Sequence, residues 1–181
     1  MKDFVHKEDL AELQEKIGYT FKREAYLEQA LTHSSYANEG HKHLRNNERL
    51  EFLGDSVLSV IVARYLFLNY KDLPEGVLTK MRASLVCEKA LDVFAGELGL
   101  GDYLRLGKGE EMTGGRQRPS IIADAFEALL AAIYLDGGYE EAQRFVMRFI
   151  PGHIDIEKSS PLSDYKTALQ EIVQQNKEEK V

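Results

Sequence analysis

Over residues 121–135 the chain carries just two charged side chains, Asp124 and Glu127, and everything else is small or apolar. Coiled at ~100° per residue, such a run has no polar face wide enough to suit solvent. It predicts a helix packed on most sides, which requires a shell of other helices around it. Asp124 and Glu127 stand at i and i+3, so they share one stripe of that helix.

A second helix has the same character. Asn47-Glu48-Arg49-Leu50-Glu51-Phe52-Leu53-Gly54-Asp55-Ser56 sets Glu48, Glu51 and Asp55 at i, i+3 and i+7. These fall within about 60° of one another. Residues 57–63 then read as apolar on nearly every face, so the helix is expected to be buried and its acids to face a partly buried place. Clustered anions there need protons or a cation to offset their repulsion.

Helical periodicity also covers residues 8–17, 23–32, 48–70, 75–98 and 139–150. Ser120 is expected to cap the helix from 121, and residues 37–46 and 107–119 are expected to be loops. No strand pattern stands out, so the fold class is all-α. Residues 1–150 form the expected domain, 151–162 a linker, and 163–181 a single amphipathic helix unable to bury its own apolar side.

Composition narrows the function. No apolar run is long enough to span a bilayer, and no signal-peptide core follows Met1, so no membrane partner is expected. Cys87 is the sole cysteine. That excludes an internal disulfide and points to a cytoplasmic setting, with Cys87 expected as a packed thiol in a helix. The net charge of −7 weighs against nucleic acid, which binds through Lys and Arg. Within residues 1–150, however, 24 Asp and Glu stand against 19 Lys and Arg, and the five acids above match that excess of negative charge.

Two acidic stripes on buried helices, neither with a basic residue on it, suggest one shared site. For a single acid the ordinary alternative is a solvated helix face. An all-oxygen site favours Mg²⁺, and Mn²⁺ accepts similar ligands. Such a site suits phosphodiester hydrolysis.

These residues resemble bacterial ribonuclease III. The likeness rests on residues 47–56 together with Leu31-Thr32-His33-Ser34-Ser35-Tyr36, Lys80-Met81-Arg82-Ala83-Ser84-Leu85-Val86 and Gly107-Lys108-Gly109-Glu110-Glu111. It continues in Gly114-Gly115-Arg116, Ile122-Ala123-Asp124-Ala125-Phe126-Glu127-Ala128 and Tyr134-Leu135-Asp136-Gly137-Gly138. The resemblance implies the all-helical endonuclease fold, acting as a symmetric homodimer on double-stranded RNA in ribosomal and messenger RNA processing. It implies Mg²⁺-dependent hydrolysis leaving 5′-phosphate and 3′-hydroxyl ends with short 3′ overhangs.

By motif position, Glu51, Asp55, Asp124 and Glu127 match metal-binding acids. Asp55 and Glu127, with Glu48 and Glu75 as outer acids, match the cleavage centre. Phe52 matches a residue inserted into the partner subunit, with core packing as its plain alternative. Gly54 either allows close helix approach or is simply a tolerated glycine. A His-Asn pair usual before Glu48 is here Asn46-Asn47. His33, His41 and His43 are expected to be solvated or hydrogen-bonded, without a catalytic role.

Asp164-Tyr165-Lys166-Thr167-Ala168-Leu169-Gln170-Glu171 resembles the start of a double-stranded-RNA-binding domain, with Thr167, Gln170 and Glu171 at contact positions. Arg116 and Arg118 either contact phosphates or belong to a plain surface loop. Competing functions are an all-α nucleotide pyrophosphohydrolase, a non-cleaving double-stranded-RNA-binding regulator and, lacking Glu-x-x-His, a less fitting di-iron bundle.

Overall fold

The computed structural model describes residues 7–39 and 44–150. The expectations for residues 151–181, including Thr167, Gln170 and Glu171, lie outside the described residues, as do His41 and His43. The described helices run α1 Lys7–Ile17, α2 Glu24–Ala30, α3 Ser34–Asn38, α4 Glu48–Asn69, α5 Glu75–Leu85, α6 Glu88–Leu98, α7 Lys108–Met112, α8 Pro119–Gly137 and α9 Tyr139–Val146. Short 3₁₀ turns occupy Leu100–Tyr103 and Gly115–Gln117. Among the described residues the sole β feature is an isolated parallel bridge between Thr32 and Arg105. The fold is all-α, and no described helix is long and apolar enough to cross a membrane.

Helix α8 is the centre, packed against α4 most extensively and then α6, α9 and α2. Ala125, Phe126 and every residue from Ala128 to Ile133 are fully buried, as the near-absence of charge requires. Phe94, Phe126, Phe145 and Phe149 close the core at ring separations of 5.3 to 5.9 Å. Pro119 begins α8 in place of a Ser120 cap. Proline fits the first turn because its φ is preset and no N–H is needed there.

Further expectations are corrected. The helix expected over residues 75–98 is two, broken at Val86 and Cys87, where Cys87 adopts φ −77°, ψ 156°. The break resets the register. Val77, Met81 and Leu85 face the core, and an unbroken helix would next turn Asp92 inward. After the break Leu91, Phe94 and Leu98 are buried instead. Cys87 is consequently exposed rather than packed. Its Sγ–H donates to the Ser84 carbonyl at 3.4 Å.

Residues 107–119, expected as a loop, hold helix α7 and the Gly115–Gln117 3₁₀ turn. Arg116 pairs with Glu111 at 2.7 Å and donates to the carbonyls of Gly101 (3.1 Å) and Leu104 (2.7 Å). Arg118 pairs with Glu110. Both guanidinium groups therefore hold the fold together.

Helix α4 is buried on one side only. Leu50, Gly54, Val57, Leu58, Ile61, Val62 and Leu66 face the core, whereas Phe52 is 78 % exposed and Phe67 71 %. Phe52, Val60 and Phe67 lie within about 80° on the outer surface of the helix. Core packing as the reading of Phe52 is thereby overturned.

A buried carboxylate that sequence reasoning took for part of a turn ties the two ends of the domain. Asp136 accepts from the backbone N–H groups of Lys22 (2.7 Å) and Arg23 (3.2 Å), from Tyr19 Oη (2.8 Å) and from Arg23 Nε (3.2 Å). Burial pushes its carboxyl up, but these donors outweigh burial and hold it below the ordinary aspartate value.

Candidate metal centre

The carboxylates converge where α4 crosses α8. At Gly54 the two helices meet backbone to backbone. A Cβ built there would lie 2.0 Å from the Glu127 carbonyl oxygen. Only glycine permits that approach, which decides for close helix approach over a merely tolerated glycine. It brings the stripe of Glu51 and Asp55 against the stripe of Asp124 and Glu127. The start of α4 is fixed by Asn47, which is buried. Its backbone N–H donates to the Thr32 carbonyl at 2.9 Å and its Nδ2 to the Ala30 carbonyl at 3.3 Å.

Glu51, Asp124 and Glu127 each offer one carboxylate oxygen, all within 4.8 Å of one another, and all three residues are half-buried. Their carboxyls are pushed up. For Glu127 burial is the main cause, followed by the charges of Asp55, Asp124 and Glu51, and its pKa rises to about 8. Burial also raises Glu51, helped by Asp124, Glu48 and Asp55. Asp124 is raised by burial and by Glu88, against an opposing pull from His33. Three acids crowded in a half-buried place, with no Lys or Arg among the causes, need protons or a cation to offset their repulsion.

Asp55 is exposed and lies outside the 4.8 Å trio, although its charge bears on Glu127 and Glu51. Glu48 is also exposed, and its charge bears on Glu51. The expectation that all three acids of α4 face a buried place therefore holds for Glu51 alone. Glu75 stands apart, exposed in the first turn of α5, where Thr79 Oγ1 donates to it at 2.6 Å. Its charge is not among those raising the trio.

Two neighbours were not legible in the sequence. Glu88 is near Asp124 because the break before α6 places it there, and no glycine or proline announces that break. His33 is near Asp124 through the link between α2 and α3. Its Nδ1 accepts from the Ser35 backbone N–H at 3.2 Å and lies 2.8 Å from Ser35 Oγ, which itself accepts from the Gly107 N–H at 2.9 Å. With Nδ1 accepting, the neutral ring carries its proton on Nε2. His33 is thus a hydrogen-bonded histidine, as expected, but one close enough to the acid cluster to oppose the rise of Asp124 whenever the ring is protonated.

Comparisons with known proteins agree with this fold. The family profile described as Ribonuclease-III-like matches residues 23–154. The chain is 51 % identical to Ribonuclease 3 of Oceanobacillus iheyensis over 96 % of its own length and 76 % of that protein's. It is 54 % identical to Ribonuclease 3 of Caldanaerobacter subterraneus subsp. tengcongensis, over 91 % of this chain and 73 % of that one. Among solved structures, the nuclease domain of ribonuclease III from Campylobacter jejuni superposes with a TM-score of 0.74 at 41 % identity. That likeness covers 80 % of this chain and 98 % of the other, a structure noted for flexibility in a region involved in dimer formation. Dicer from Giardia intestinalis shares the fold at a TM-score of 0.55 and 22 % identity, over 83 % of this chain and 23 % of that one.

A helical domain with acids from two crossed helices at its centre defines a nuclease of the ribonuclease III class. The chain belongs to the ribonuclease III family and is an endoribonuclease.

Proposed function

We propose that this chain cleaves double-stranded RNA by divalent-cation-dependent phosphodiester hydrolysis. The carrying observation is the trio of half-buried carboxylates on two crossed helices with raised pKa values. The all-oxygen donor set fits Mg²⁺, with Mn²⁺ able to substitute. Glu51, Asp124 and Glu127 would hold the ion, with Asp55 as a further ligand at the exposed edge. A bound divalent ion supplies a water of lowered pKa and stabilises charge on phosphate oxygens.

The residues themselves set the conditions. Glu127, at about 8, keeps its proton through neutral pH in the absence of a cation and must release it for the trio to act as three full carboxylates. Gly54 fixes the spacing between the helices, so the ligands need little rearrangement. Glu48 adds negative charge beside Glu51. For Glu75 an outer catalytic role rests on the resemblance alone, as do the RNA contacts of Thr167, Gln170 and Glu171.

The exposed apolar stripe of α4 around Phe52 supports a homodimer, because an aromatic ring 78 % exposed in one chain is covered when two chains meet. The expected products are 5′-phosphate and 3′-hydroxyl ends with short 3′ overhangs from paired cuts, in ribosomal and messenger RNA processing in the cytoplasm. Family membership favours this reading over a nucleotide pyrophosphohydrolase or a non-cleaving regulator.

The test is cleavage of duplex RNA with Mg²⁺, with Ca²⁺ as a control that permits binding, using Asp55→Asn and Glu127→Gln. Both variants are expected to lose at least a hundredfold in rate. Undiminished cutting by both would overturn the metal site.

A further inference from the structure

Outside the acid cluster, a cavity of about 380 Å³ is walled by Arg23, Tyr26, Gln29, Thr32, Arg45 and Arg105. Its volume is that of a small-ligand site. Three arginines line it, in a chain of net charge −7, and among the described residues Glu28 is the one acid in the wall.

The arginines are incompletely matched. Arg105 has a side chain only 12 % exposed and reaches Glu28 Oε1 at 3.3 Å, yet its Nε is buried with no hydrogen-bond partner. A buried donor left unpaired is costly enough that folded proteins rarely keep one. Arg23 lies over the Tyr26 ring at 4.4 Å and spends Nε and Nη2 on Asp136 and the Leu135 carbonyl. Among the described residues Nη1 has no acceptor. Arg45 forms no ion pair among the described residues.

We propose that this cavity is a phosphate-binding subsite. A planar carboxylate pairs with one guanidinium, whereas a phosphate presents several acceptor oxygens and up to two negative charges to all three. A metal ion would be repelled, and an apolar ligand would leave the guanidinium groups unmatched.

The position links the subsite to the acids. Thr32, in the wall, accepts the N–H of Asn47 through its carbonyl and precedes His33, whose charge acts on Asp124. Arg45 precedes Glu48 by three residues. The phosphate comes either from the backbone of the duplex being cut or from a free phosphorylated ligand. The first source rests on the proposed function.

The test uses the full chain, Arg45→Glu and Arg105→Gln, each checked for helical content. Arg45 is exposed, so its variant should fold even if the Arg105 variant does not. In the first arm, inorganic phosphate is titrated while amide resonances are followed by NMR. Saturable shifts are expected at residues 23–32 and 105, weakened at least tenfold by Arg45→Glu. In the second, duplex binding with Ca²⁺ is measured against salt. If the duplex supplies the phosphate, the slope of log K against log salt falls by about one in Arg45→Glu.

Phosphate shifts lost in the variant with an unchanged slope assign the subsite to a free phosphorylated ligand. No saturable shift in the wild type, or the same shifts in Arg45→Glu, overturns the proposal. Failure to bind duplex at all would count against the proposed function, while the phosphate titration still decides the subsite.

Discussion

Gly54 on α4 faces the backbone of Glu127 on α8 so closely that a methyl group would sit 2.0 Å from its carbonyl oxygen, where an ordinary contact exceeds about 3.4 Å. The obstacle is main chain, which cannot rotate away. Gly54→Ala must therefore push the two helices apart, at about 3 kcal/mol. Metal-dependent cleavage should fall by roughly a hundredfold, since displacement on the order of 1 Å at a reactive site has that effect. Thermal unfolding and a rate assay on one preparation check both. A variant with wild-type melting temperature would mean that the contact is not rigid.

Glu127 should make the protein less stable as pH rises when divalent ions are absent. An unfolded glutamate titrates near 4.3, whereas Glu127 in the folded chain does so at about 8. The cost of its charge is absent below the unfolded value, grows between the two and is complete above the folded one. Glu127→Gln is thus expected to be nearly neutral at pH 4 and stabilising by about 2 kcal/mol at pH 8 in EDTA. That figure is discounted for partial solvent access. Added Mg²⁺ should raise the melting temperature of the wild type more than that of the variant. Denaturant titrations at the two pH values read the effect.

For Phe52 the expectation separates association from folding. An exposed ring contributes little to one chain, so Phe52→Ala should change monomer unfolding by less than about 0.5 kcal/mol. Truncating an aromatic anchor in an interface costs about 2 kcal/mol or more, which weakens association at least thirtyfold. Sedimentation velocity at micromolar concentration would show the shift to monomer. Identical sedimentation of variant and wild type would remove Phe52 from the interface.

Asp136 makes the opposite contribution to that of Glu127. Its folded carboxyl lies below the ordinary value near 3.9. The stability it supplies is complete above that ordinary value and is lost as pH falls through the lower folded one. Asp136→Asn should cost on the order of 3 kcal/mol at pH 7, because an amide faces donors that a carboxylate had matched. The difference between the two proteins should shrink toward pH 2. Chemical denaturation at pH 7, 4 and 2.5 follows it.

What could be read in advance depended on whether a residue's role is set by neighbours along the helix or across the fold. The burial of α8 followed from its lack of charge, and the pairing of its acids with those of α4 from the shared absence of bases. Asp136 could not be anticipated, because its partners Tyr19, Lys22 and Arg23 lie more than a hundred residues away in sequence. The break after α5 has no glycine or proline to announce it. Only the register of Leu91 and Asp92 against Leu85 carries that signal. Arg116 and Arg118 were open to two readings because sequence does not show that Glu110, Glu111 and nearby carbonyls come within reach.

The same break leaves a practical legacy. It sets the chain's one cysteine in the open at the junction of two well-packed helices. A maleimide probe can therefore be attached at a single known point without mutagenesis. Two labelled chains would then act as their own ruler, reporting the separation of protomers in solution as RNA and ions are added.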